Sequence, residues 1–142
     1  MPTDKIYFAG FIIILLLLIF YLKPKTAEIK IGGKTFSAEV ADNMLTRSRG
    51  LMYRAAPSPM IFIFPSPTSE GFWMKNVNFP LDIIWIDSEK RIIGTDRMET
   101  CFEKECKIYS PPGPIKFALE VKAGFVEKNK IKAGGEIEIS SL

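Results

Sequence analysis

FWMKNVNFPLDIIWID, residues 72–87, is the stretch on which the fold of this chain turns. Its second half, Leu81–Ile86, is a six-residue run that is apolar except at Asp82, with Pro80 before it and Asp87 after it. A run that short, rich in isoleucine and closed by turn formers, predicts a strand buried on both faces rather than a helix. The first half places Trp73, Lys75 and Asn76 together. In extended chain Trp73 and Lys75 share one face, and Met74 and Asn76 share the other.

Outward from that strand the pattern repeats on a small scale. Ile29–Ile31, Gly32-Gly33 and Lys34–Val40 predict a hairpin whose two-residue turn needs positive φ, with Ile29 opposite Phe36. Asp42 or Asn43 is suited to cap a short helix running to Arg49 and stopped by Gly50. Met44, Leu45 and Ser48 are expected to face the sheet, with Arg47 and Arg49 outward. Met60–Phe64 reads as a strand, and residues 65–71, with two prolines, as a loop. Arg91–Thr95 returns from a turn at 87–90, and residues 111–114 forbid regular structure. Ile115–Val121 alternates, leaving Glu120 off its apolar face and exposed by expectation. Residues 123–130 fit one or two helical turns, and Glu136–Ile139 a last strand. The fold class is mainly β: a compact barrel-like or sandwich domain of short strands with one or two short helices.

One N-terminal transmembrane helix is expected to precede that domain. Residues 6–22 are seventeen in a row without a charge, aromatic near both ends. The expected division is an anchor at 1–23, a tether at 24–28 and the β domain at 29–142. A cleaved signal peptide is the rival, with a weak cleavage site around Thr26 and Ala27. Lys23, Lys25, Lys30 and Lys34 follow the segment and favour a cytoplasmic domain by the positive-inside rule. Cys101 and Cys106, the only cysteines, favour the opposite side. Spaced C-x4-C behind a membrane signal, they suit a disulfide in an oxidising compartment, and the expected location is extracytoplasmic.

The chain has no histidine, which excludes Ser-His-Asp, Cys-His and histidine–metal chemistry. No cofactor or metal motif is present. The net charge of +3 comes from interleaved charges and is no nucleic-acid footprint. Candidate ligand-binding residues are Arg54, Trp73, Lys75, Asn76 and Asp82, with Arg47 and Glu120 secondary. An indole beside an ammonium and an amide suits a sugar, a carboxylate or a peptide end. Asp82 is either a ligand acceptor or half of an ion pair with Lys75 or Arg54, since an isolated buried charge is costly. Asp82, Asp87 and Glu120 are the carboxylates available to a hydrolase.

Arg47-x-x-Gly50-Leu51-Met52-x-Arg54, Met60-Ile61-Phe62-x-Phe64, Phe72–Asn76 and Pro80–Asp87 occur in that order. Cys101, Cys106-x-x-Tyr109 and Leu119-Glu120-Val121-x-Ala123-Gly124 follow. Together they closely resemble the Domain of Unknown Function 192 family, from about Ile29 to Ile139. The resemblance implies a small, mostly β domain found behind a signal or anchor, with no established activity. The family's motifs carry over onto Arg47, Arg54, Trp73, Lys75, Asn76 and Asp82. Pro59 stands where the family usually has glycine, and Val77 where it usually has threonine. The leading expectation is a membrane-anchored extracytoplasmic module binding a glycan, an envelope component or a protein segment. A hydrolase using Asp82 and a second carboxylate, and a membrane assembly factor with an exposed apolar patch, are the alternatives.

Overall fold

The computed structural model describes residues 3–21 and 23–140; within the first helix, side chains are described for residues 7–17. Helix α1 (Thr3–Tyr21) comes first. The expected transmembrane segment at 6–22 falls largely within it, but Leu22 and several side chains of that segment lie outside the described residues. Among the described residues no helix is long and apolar enough to cross a membrane.

The strands are β1 (Thr26–Ile31), β2 (Lys34–Ala41), β3 (Met60–Thr68), β4 (Leu81–Ile86), β5 (Ile92–Met98), β6 (Ile115–Lys122) and β7 (Ile137–Ser140). They form one sheet in the order β5-β4-β6-β3-β2-β1-β7. Only β2 and β3 run parallel; the other neighbours are antiparallel. The sheet curls into a half-barrel. Its outer strands approach at one end, where Arg91 bridges Glu136 and Ile92 exchanges 2.8 Å hydrogen bonds with Gly134 and Gly135.

The curl produces two cores, one on each face. Ile29, Ile31, Ile61, Ile84, Leu119 and Ile137 fill the concave side. On the convex side Phe62, Ile83, Trp85 and Ala118 are covered by Leu51, Met74 and Val77 from the connections. This explains why β4 is buried at all six positions: each face of the strand meets a different core. It lies second from one edge of the sheet, hydrogen-bonded to β5 and β6.

Local chemistry accounts for the connections. Gly32 (φ 54) and Gly33 (φ 72) take the positive φ that the β1–β2 turn requires, and Ile29 stands opposite Phe36. Helix α2 (Met44–Arg49) is held by a capping box: the Asn43 side chain accepts from the Thr46 N–H, and the Thr46 hydroxyl accepts from the Asn43 N–H. Helix α3 (Phe125–Lys128) is a single turn.

Four expectations change. β1 starts at Thr26, within the stretch read as tether, because Thr26–Glu28 pair with Ser37–Glu39 of the hairpin. β3 continues through Pro65 and Pro67, where the sequence predicts a loop. The ladder to β6 shifts register between Ile63 and Thr68, so neither proline must donate an N–H there. Met44 and Leu45 do not face the sheet; they are 78% and 77% exposed. Arg47 points inward instead, donating to the Ile63 carbonyl at 3.1 Å and lying over the Phe64 ring. Finally, Glu120 is buried, since the convex face of β6 is roofed by the connections.

Candidate functional site

Two connections leave a cleft over the convex face of the sheet. The first is α2 with the turn Gly50–Arg54; the second is residues 70–77. Gly50 (φ 48) lies so close to β3 that a Cβ there would contact the Phe62 ring at 3.4 Å. Leu51, 1% exposed, then pins the turn to the core. Tyr53 and Asn76 both take positive φ and face each other. The Tyr53 N–H donates to the Asn76 carbonyl at 2.9 Å, and the Asn76 amide donates to the Tyr53 hydroxyl at 2.8 Å. Phe72 is fixed by paired 2.8 Å backbone bonds with Tyr109. Its ring packs edge-on against Phe62, Phe64 and Trp85.

Between these walls is a cleft of about 400 Å³. Met44, Arg47 and Met52 line it from the first connection, Glu70, Phe72 and Trp73 from the second. Phe62, Phe64 and Glu120 come from the sheet. Glu120 sits between Met60 on β3 and Ile83 on β4 and is 5% exposed. Among the described residues no hydrogen bond or ion pair reaches its carboxyl. Burial alone pushes its pKa up to about 8, since a desolvated carboxyl disfavours its charged form. Trp73, 46% exposed, stands at the mouth.

The sequence candidates separate into different places. Trp73 and Lys75 share a face, with the ammonium 5.4 Å from the indole centroid, but Lys75 is absent from the cleft lining. Asn76 joins the two connections. Arg54 is engaged by Glu39 at 2.6 Å, while its buried Nε has no partner. Asp82 points into the concave core, on the opposite face from Glu120, because Ile83 and not Asp82 is the cross-strand partner of Glu120. Its ion pair is with Arg97 at 2.7 Å rather than with Lys75 or Arg54, and the Val126 N–H donates to its other oxygen at 2.9 Å. Of the secondary candidates, Arg47 and Glu120 both line the cleft.

Val77 contributes an apolar wall where the resemblance led one to expect a threonine hydroxyl. Pro59 gives its carbonyl to the Glu39 N–H, a role that needs no N–H of its own. Cys101 and Cys106 form a disulfide with their Cα atoms 5.7 Å apart. The loop it closes is tied to the connection at residues 70–77 by the Lys75–Cys101 bridge.

Residues 27–139 match the DUF192 family model, described as an uncharacterised ACR. The chain belongs to the DUF192 family. Among its DUF192 relatives, a UPF0127 protein of Pyrococcus abyssi is 29% identical over 119 residues, covering 80% of this chain and 92% of that protein. A UPF0127 protein of Pyrococcus furiosus is 28% identical, covering 75% and 90%. A solved structure from Sinorhizobium meliloti, described as a putative transcription regulator, has 28% identity and a TM-score of 0.71, covering 83% of this chain and 96% of that one. A protein of unknown function from Novosphingobium aromaticivorans has 26% identity and a TM-score of 0.68, covering 80% and 83%.

What the DUF192 site can do chemically follows from Glu120. Asp82 is neutralised by Arg97 and has no open face toward the cleft. Asp87 accepts from the Glu89 and Arg91 N–H groups and shapes the β4–β5 turn. The carboxylate pairs on which the hydrolase alternative rests therefore do not face one groove. Of Asp82, Asp87 and Glu120, Glu120 is the one that lines the cleft, with Glu70 on the opposite wall. Sequence alternation had placed it off the apolar face of β6 and so in solvent. The available signal was that β3 and β4 are apolar on both faces, so the strand between them is also covered on both.

Proposed function

We propose that this DUF192 protein is a membrane-tethered, extracytoplasmic binding module. Its ligand, part of a glycan, an envelope component or a protein segment, would enter the cleft between α2 and residues 70–77. The observation that carries this reading is Glu120: a buried, unpartnered carboxyl on the floor of an open cleft with a half-exposed tryptophan at its mouth. Leaving a polar group desolvated and unpaired costs roughly 1–3 kcal/mol, and a ligand that reaches it offsets that cost. Concave, mostly apolar surfaces with a few convergent polar groups are where small ligands bind.

Tethering is supported by the apolar run at 6–22 and by how little chain separates it from the domain. β1 begins at Thr26, and Lys25 is held by Asp42 at 2.6 Å. That contact keeps the Asp42 carboxyl below the usual range, chiefly through the hydrogen bond from Lys25. The extracytoplasmic side is supported by the disulfide.

Titrating cell-wall glycan and peptide fragments while following Trp73 fluorescence tests the binding reading. Trp73→Ala should abolish the signal while Trp85, fully buried, keeps its own emission. Absence of any response across both ligand classes would remove this reading. Thiol labelling of intact cells, with and without reductant, tests the location.

A second reading is favoured by one specific observation. Met44 and Leu45 form an exposed apolar pair on α2, and a partner that covers them would make the chain an assembly factor. Leu45→Ser, outside the cleft lining, separates the two: loss of a co-purifying partner with ligand binding intact would favour the assembly role.

A further inference from the structure

We infer that the cleft takes a protonated amine, whose ammonium pairs with Glu120 between the rings of Phe62, Phe72 and Trp73. This rests on the cleft being a binding site and specifies what it binds. Among the described residues nothing donates to the Glu120 carboxyl, and a ligand that brings a donor fills that gap. An ammonium brings three donors and a full opposite charge, whereas a hydroxyl brings one neutral donor. The Phe62 and Phe72 rings that line the same cleft favour the same class, because aromatic rings attract cations taken out of water, as the Trp73 ring already holds the Lys75 ammonium.

The charged groups around Glu120 are already placed. On α2, Arg47 is held by the Ile63 carbonyl and the Phe64 ring, and Arg49 is exposed at the rim. Glu70, on the opposite wall, is exposed and adds negative charge at the entrance. Along the same cross-strand row, Glu39 of β2 is neutralised by Arg54. Asp96 of β5 accepts from the Trp85 indole N–H at 2.8 Å. Arg47 and Arg49 line the same cleft, but among the described residues neither forms an ion pair with the Glu120 carboxyl. In the empty cleft that carboxyl holds its proton at neutral pH, so an incoming ammonium would displace it.

The test uses the full chain in nanodiscs, with the Trp73 indole N–H signal as the near reporter and that of Trp85 as the remote one. n-Butylamine is titrated against 1-butanol, its neutral counterpart of similar size. Butylamine should bind at least tenfold more tightly at pH 8. Its affinity should rise about tenfold from pH 6 to pH 7, as the ionised fraction of a carboxyl with a pKa near 8 does, and level off above pH 8. Glu120→Gln, which keeps the shape of the protonated acid, should bring butylamine down to the level of butanol and flatten the pH profile. Lysine amide, glucosamine and choline then tell whether the amine arrives on a peptide, a sugar or a lipid headgroup. Butanol binding as well as butylamine, or an unchanged affinity in Glu120→Gln, would overturn the inference while leaving the cleft a binding site. If no probe of any kind moves the Trp73 signal, the binding reading itself fails.

Discussion

Asp82 and Glu120 are buried acids on neighbouring strands, and the two faces of the sheet treat them in opposite ways. On the concave face Asp82, 3% exposed, is met by the Arg97 guanidinium and the Val126 N–H. On the convex face Glu120, 5% exposed, lines the cleft, and no hydrogen bond or ion pair among the described residues reaches it. A buried carboxylate that the protein has paired belongs to the architecture, because removing its partner leaves an uncompensated charge. One left without a partner among the described residues is an exception that calls for an explanation. The difference directs attention from the residue with the stronger sequence motif, Asp82, to the one with the weaker.

The largest test of this contrast is on the paired side. Arg97→Ala would strand Asp82 in the concave core with a single backbone donor. It should destabilise the fold by about 3 kcal/mol, read by urea denaturation; the half-exposed setting of Arg97 places this at the low end for a broken buried pair. A loss under 1 kcal/mol would mean that Asp82 is not held as described.

On the cleft side the effect should be of opposite sign. The folded-state pKa of Glu120 is raised to about 8, so the folded protein binds a proton that the unfolded chain releases above its own pKa. Stability linked to this group is therefore full below about pH 4.5 and is lost progressively as pH rises toward 8. Glu120→Gln, which never ionises, should match the parent near pH 4.5 and become progressively more stable than it as pH rises toward 8, read by urea denaturation at each pH. A variant less stable than the parent at both values would show that Glu120 is paired after all.

Cys101→Ser opens the small loop that rests against Lys75 and should cost about 2 kcal/mol in the oxidised protein. Parent and variant should converge in reductant. The smallest effect is expected from Leu45→Ser on the exposed side of α2, within about 0.5 kcal/mol by thermal melting. A larger loss would mean that this face is covered in the protein as it works.

The elements whose cause is local were legible from residue order. The Gly32-Gly33 turn sets the register of β1 and β2 because only those backbones take positive φ there without strain. Asn43 and Gly50 bound α2 because the cap and the stop are made by adjacent groups. The apolar run of β4 specifies a strand buried twice over. Residues 65–68 were not legible, since two prolines read as a loop unless a register shift against β6 excuses their missing N–H groups. The face of α2 was misread for a related reason. Helical periodicity names a stripe, but the Arg47 bond to a carbonyl of β3 decides which side turns inward.

The candidate site shows the same division more sharply. Motif order placed Trp73, Lys75, Asn76, Arg54 and Asp82 in one group, and of these only Trp73 lines the cleft. Lys75 stands outside it, over the indole. Arg54 and Asp82 are each claimed by a partner, Glu39 and Arg97, that no local pattern names. By itself the sequence determined the strands, the turns, the cap and the family. Those depend on hydrogen bonds and φ angles among residues close in the chain. Only the tertiary structure decided which acid is paired and which is left facing the cleft. That depends on what the curl of the sheet and the two connections bring over each face, from positions as far apart as Gly50, Phe72 and Glu120.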